Sequence, residues 1–207
     1  MLTPDIASLS EMAITLVLTH KPLREFRWNG MSGKWGELVA IRGPKVTACI
    51  VSHGTRLNRG SNPQSIQLQH GLLMLSTDGK PIQQMKRFTT MERFRGNTDG
   101  YFVQLRPKTD PYKVVFEPHN PVVKTLRPTH DGRCFRIHGA KTIKEQAILI
   151  HEAPNVSWLT GCISPRPLGD YTLSYPNGPS SPPALAMDEL IAFLGPQKAD
   201  FHVEDYF

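Results

Sequence analysis

The chain has 207 residues with 39% hydrophobic content, enough for one buried core, and a single domain over 1–207 is the simplest organisation. A formal charge of +6, from 24 Lys and Arg against 18 Asp and Glu, favours an anionic partner over a cationic one: nucleic acid, teichoic polymers and carboxylate-bearing peptidoglycan all qualify. Three cysteines at 49, 134 and 162 exclude a disulfide framework and a paired C-x-x-C metal knuckle, and no stretch approaches the roughly eighteen apolar residues of a membrane helix.

The apolar run Met12 to Leu18 is short, lacks a basic lead and ends without a small-residue cleavage site, so we expect no export signal and synthesis in the cytoplasm. Eighteen prolines and sixteen glycines are scattered, as in a protein of many short strands joined by turns. Strands are predicted at 13–18, 36–41 and 46–51, the last two separated by the Arg42-Gly43-Pro44 turn. Residues 52–63 read as a loop. Residues 66–75 and 82–88 read as a hairpin about Thr77-Asp78-Gly79-Lys80, and 101–105 and 113–116 as further strands.

Cys134 to His138 and Ala147 to His151 are two β-type runs, each expected to end its strand on a histidine. A Pro/Gly/Ser-rich linker follows at 165–183. Met187, Leu190, Ile191 and Leu194 then recur on one helical face, which predicts a helix over 184–194 that starts near Ser181-Pro182 and stops at Gly195-Pro196. The last twelve residues read as a surface-bound or frayed tail. The expected fold is mainly β, a sandwich or barrel with one C-terminal helix.

The chemistry concentrates between residues 148 and 164. A thiol attacks as its thiolate, so a working cysteine needs a base at hand, and a strand-end histidine across a loop supplies one to Cys162. Gly161 permits a tight turn into Cys162, with the nearby amides placed for an oxyanion. The residue types alone also fit a buried, inert cysteine.

The segment Ile148-Leu-Ile-His151-Glu-Ala-Pro-Asn155-Val-Ser157-Trp158-Leu-Thr160-Gly161-Cys162-Ile163 resembles the nucleophile segment of the L,D-transpeptidase superfamily. It is most similar to a small branch of phage-borne proteins and secreted effectors with Ile-His before Gly-Cys-Ile. The likeness covers 134–164 well and the rest loosely. It implies an L,D-transpeptidase-like barrel or sandwich in which Cys162 is the nucleophile, His151 the base, Gly161 the oxyanion-turn glycine and Asn155 a polar loop group. Ile137-His138-Gly139 resembles the family's Ile-His-Gly, making His138 a second candidate base. Where the main family has Ser-His before Gly-Cys, this chain has Leu159-Thr160. The loop 152–161 would wall the cleft, with Asn155, Ser157, Trp158 and Thr160 as substrate contacts. The implied substrate is the peptidoglycan stem tetrapeptide, taken without metal or cofactor by transpeptidation or carboxypeptidation. Without an export signal, the resemblance implies delivery by a phage or a secretion machine to the periplasm or wall of a target cell, with an immunity protein as partner.

Other readings compete. His130, Cys134 and His138 recur every fourth residue, but in an extended chain such residues lie roughly 13 Å apart, too far to share a zinc ion held at about 2.0–2.3 Å. A zinc deaminase is excluded because His151-Glu152 is not His-x-Glu. A basic nucleic-acid-binding protein is motivated by Phe88, Phe94 and Tyr101 among basic residues such as Lys86, Arg87, Arg93 and Arg95. A non-catalytic phage or secretion-system adaptor on the same scaffold is the remaining alternative. Cys49 and Cys134 are expected to be buried strand residues, and His53 a turn histidine.

Overall fold

The computed structural model describes residues 13–43, 46–51, 72–76, 84–93, 112–126, 132–141 and 147–205. Among the described residues ten strands and two α-helices follow in chain order: β1 (Ala13–Trp28), β2 (Met31–Gly43), β3 (Val46–Val51), β4 (Leu72–Ser76), β5 (Gln84–Arg93), β6 (Tyr112–Glu117), α1 (Pro121–Leu126), β7 (Cys134–Lys141), β8 (Ala147–Ile150), β9 (Ile163–Arg166), α2 (Pro182–Leu194) and β10 (Ala199–Asp205). Eight strands close a barrel in the order β1-β10-β6-β7-β8-β9-β5-β2, and β3 and β4 form a separate two-stranded sheet. The mainly β, barrel-like expectation is met.

Strand alternation divides the barrel wall into two faces. Inward go Leu16 and Leu18 of β1, Leu38 and Ala40 of β2, Phe88 of β5, Val114 of β6, Phe135 and Ile137 of β7, Ile148 and Ile150 of β8, Ile163 of β9, and Phe201 and Val203 of β10. These meet across the ladder in register: Phe116 opposite Phe135, Phe135 opposite Ile150, Ile150 opposite Ile163. Helix α2 adds Ala186, Met187, Leu190 and Leu194 to the same core. Its two N-terminal prolines cost no hydrogen bond in the first turn, and Gly195 at φ 65° ends it by donating its N–H to the Ile191 carbonyl.

Several expectations are corrected. Strands 66–75 and 82–88 were expected to pair, yet β4 pairs with β3, while β5 pairs with β2 and β9. The predicted C-terminal tail is instead β10, inserted between β1 (parallel) and β6 (antiparallel), with Phe201 and Val203 buried opposite Leu16 and Leu18. Ala-Asp-Phe-His-Val-Glu-Asp alternates with period two, and that pattern outweighs a terminal position. The linker 165–183 begins inside β9, and α2 starts two residues before the predicted 184. Strand β1 runs ten residues beyond the predicted 18 and returns as β2 through Asn29 and Gly30, both at positive φ (46° and 78°), the two-residue turn that suits a twisted hairpin. The predicted loop 52–63, the turn 77–80, the strand 101–105 and His53, Phe94, Arg95, Tyr101 and His130 lie outside the described residues.

Candidate active site

The outer face of the same strands carries a second buried cluster: Trp35 of β2, Met91 of β5, Cys134 of β7, Leu149 of β8, Val123 of α1, then Ala153, Val156, Leu159 and Cys162. Phe26, Trp28, Met31, Trp158 and Leu173 pack around its edge. Residues 152–161 leave β8, fold over this face and turn back into β9. Asn155 caps a 3-10 turn at Val156–Trp158, its Oδ1 accepting from the Ser157 N–H at 3.0 Å and the Ser157 hydroxyl at 2.6 Å. Gly161 sits at φ 83°, a left-handed conformation that favours glycine, as the tight turn before Cys162 requires.

The register fixes what stands beside Cys162. Strands β8 and β9 run parallel with Ile150 opposite Ile163, and the His151 N–H donates to the Ile163 carbonyl at 3.0 Å. Leu149 is therefore level with Cys162, and His151 is its diagonal neighbour. Such neighbours have Cα atoms about 7–8 Å apart, within reach of an imidazole. His138 is placed differently. It was expected at a strand end, but it is exposed within β7, opposite Lys113, with β8 between it and β9. Two strand spacings and two residues of offset separate it from Cys162 by about 12 Å. Of the two candidate bases, His151 follows the strand next to Cys162, and His138 lies one strand further away.

His151 is 2% exposed, and its Nδ1 lies 2.7 Å from the Glu152 carbonyl oxygen. A carbonyl oxygen only accepts, so Nδ1 is the donor in this hydrogen bond and Nε2 is the nitrogen through which the ring would act as a base. Cys162 is 8% exposed. Burial pushes its thiol up to about 11, while backbone hydrogen bonds at Leu149 and Thr160 pull the other way. At neutral pH it rests as the thiol, and ionisation has to be coupled to a base.

Cys134 is fully buried, as expected, and burial with the nearby Glu117 carboxylate pushes its thiol up to about 12. Two strand spacings separate it from Cys162, at least about 9 Å against the roughly 4.4–6.8 Å of a disulfide. Burial raises the affinity of Glu117 for a proton, but hydrogen bonds from Arg136 and Asn120 outweigh it and hold the carboxyl below its usual range. Among the described residues no group of three His, Cys, Asp or Glu is arranged to hold a metal ion, and no helix is long and apolar enough to cross a membrane.

Of the expected substrate contacts, Asn155 and Ser157 are engaged with each other at the turn, Ser157 is exposed, and Trp158 and Thr160 are half-buried near Cys162. Two residues that the sequence reading passed over share the outer face of β9 with Cys162. Ser164 Oγ accepts the Ala153 N–H at 2.9 Å, and Arg166 Nη2 donates to the carbonyls of Ala153 (3.3 Å) and Pro154 (3.2 Å). The signal for them was the alternation Cys162-Ile163-Ser164-Pro165-Arg166, hidden by its attribution to a linker. In the basic group, Lys86 pairs with Glu189 and Arg87 with Glu37, and Phe88 is core, which weakens the nucleic-acid reading. Comparisons with protein-family models, with curated proteins and with solved structures find nothing that matches this chain.

Proposed function

We propose that the protein is a cysteine acyltransferase or hydrolase of the L,D-transpeptidase type, acting on peptidoglycan stem tetrapeptides. The observation that supports this reading is the parallel pairing of β8 with β9 at Ile150 and Ile163, the residues next in sequence to His151 and Cys162. Cys162 Sγ attacks the carbonyl of the third stem residue as His151 Nε2 takes the thiol proton. The C–N bond to the terminal D-residue breaks, and the imidazolium protonates the departing amine. Water or a second amine then releases the acyl group from the thioester. Gly161 shapes the turn whose amides face the developing oxyanion. Trp158 and Thr160 border the acyl site. The basic charge suits a carboxylate-bearing wall polymer.

Delivery to the periplasm or wall of a target cell by a phage or secretion machine, with an immunity protein as partner, belongs to the same proposal and rests on the resemblance around residues 148–163.

One observation favours a second reading, a non-catalytic adaptor: the sulfur of Cys162 is nearly covered and its thiol is raised to about 11. Mass spectrometry of tetrapeptide fragments incubated with the protein separates the two. Loss of the terminal D-residue marks a carboxypeptidase, exchange with an added D-amino acid marks a transpeptidase, and both should vanish in Cys162→Ala. Product formation that is absent, or unchanged in Cys162→Ala, selects the adaptor.

A further inference from the structure

Arg166 is fully buried, and its two hydrogen bonds to backbone carbonyls serve one short segment. Nη2 donates to the carbonyls of Ala153 and Pro154 and lies 3.4 Å from the Met91 thioether, while Nε and Nη1 have no protein acceptor. The guanidinium sits 5.7 Å from the Trp35 ring centre and 5.2 Å from that of Tyr175. Tyr175 in turn donates its hydroxyl to Asp170 and its N–H to the Pro154 carbonyl. A buried cation so incompletely satisfied destabilises the fold relative to an apolar side chain of the same volume. Both of its hydrogen bonds to backbone fall on the chain two and three residues after His151. Ser164, two residues earlier on the same face, holds the Ala153 N–H. The segment 162–166 thus begins at Cys162 and grips the exit from His151 through Ser164 and Arg166.

We propose that Arg166 is a positioning residue, which holds the Ala153–Pro154 backbone so that the His151 imidazole stays aligned on the Cys162 sulfur. This rests on the Cys162–His151 reading above. Neither group of Arg166 touches the reacting atoms. Its role is exerted through the two carbonyls, so a long apolar substitute that fills the same space keeps the fold and frees the histidine.

The test is the rate of iodoacetamide alkylation at Cys162 across pH, followed by peptide mass spectrometry on the full chain, with thermal unfolding alongside. In the parent protein the rate near neutral pH should depend on His151, falling in His151→Ala by about tenfold or more. Arg166→Met should unfold no earlier than the parent, yet its pH profile should converge on that of His151→Ala, and tetrapeptide turnover should fall with it. Arg166→Lys, which reaches one carbonyl at a time, should lie between the two; it also serves if Arg166→Met does not fold. A folded Arg166→Met, or in its place Arg166→Lys, with the parental profile overturns the proposal. If His151→Ala leaves the parental profile unmoved, the Cys162–His151 pair itself fails, and Arg166 has nothing to position.

Discussion

The two faces of β8 and β9 are made from the same twenty residues of chain, 147–166, and obey opposite rules. Inward, Ile148, Ile150 and Ile163 belong to one apolar core with side chains of the other barrel strands and α2. Outward, Leu149 is joined by His151, Cys162, Ser164 and Arg166, all buried and all polar or titratable. Hydrocarbon needs no partner and stabilises by leaving water, whereas each buried polar group costs free energy unless its hydrogen bonds are replaced. One face of this wall is apolar throughout, and the other sets buried polar groups into an apolar cluster. Substitutions on the two faces should therefore fail in different assays.

The sharpest break of that contrast is Phe135→Ala on the inner face. It should lower unfolding stability by about 3–5 kcal/mol, read by urea titration, because the ring is fully buried against Phe116 at 5.3 Å between centroids. A loss below about 1 kcal/mol would mean that the barrel interior is less tightly packed than its register implies.

The outer face should show itself next, through pH. Cys134 and Cys162 are raised from an ordinary 9.0 to about 12 and about 11, so above pH 9 the unfolded chain releases protons that the folded chain keeps. Their contribution is intact below about pH 9 and is lost as pH climbs towards 11 and 12. Urea midpoints at about pH 8 and about pH 10.5 should fall with pH in the parent and fall less in Cys134→Ala/Cys162→Ala. Equal falls in both proteins would place the sensitivity elsewhere.

A smaller effect belongs to Asn120, whose Oδ1 accepts from the Val122 and Val123 N–H groups at 3.1 Å and starts α1 below the cluster. Asn120→Ala should cost about 1 kcal/mol in the same titration, through the loss of this cap. No change would mean that α1 is held by the burial of Val123 alone.

The contrast also explains what the sequence disclosed. The inner face was legible because Cys134 to His138 and Ala147 to His151 carry strand-type runs, and a period-two pattern needs only its own neighbours to be read. The candidate base and nucleophile were legible as residue types, and the turn glycine at 161 as a conformation. What no single segment shows is register. That Ile150 faces Ile163, and so that β8 rather than β7 lies next to β9, follows from the closure of eight strands. Strand β10 and the Asn29-Gly30 turn were visible in principle, since both carry their local signatures, and were missed through their positions next to a terminus and in a basic stretch. Arg166 was hidden more deeply. An arginine in a proline-rich segment reads as solvent-facing until the Trp35 and Tyr175 rings are seen against it.

The most direct measurement is the intact mass of the protein after brief exposure to a peptidoglycan tetrapeptide, quenched in acid. The account predicts a tripeptide thioester that maps to Cys162, slow to appear in His151→Ala and absent in Cys162→Ala. An unmodified Cys162 at every time point, with the substrate intact, would contradict it.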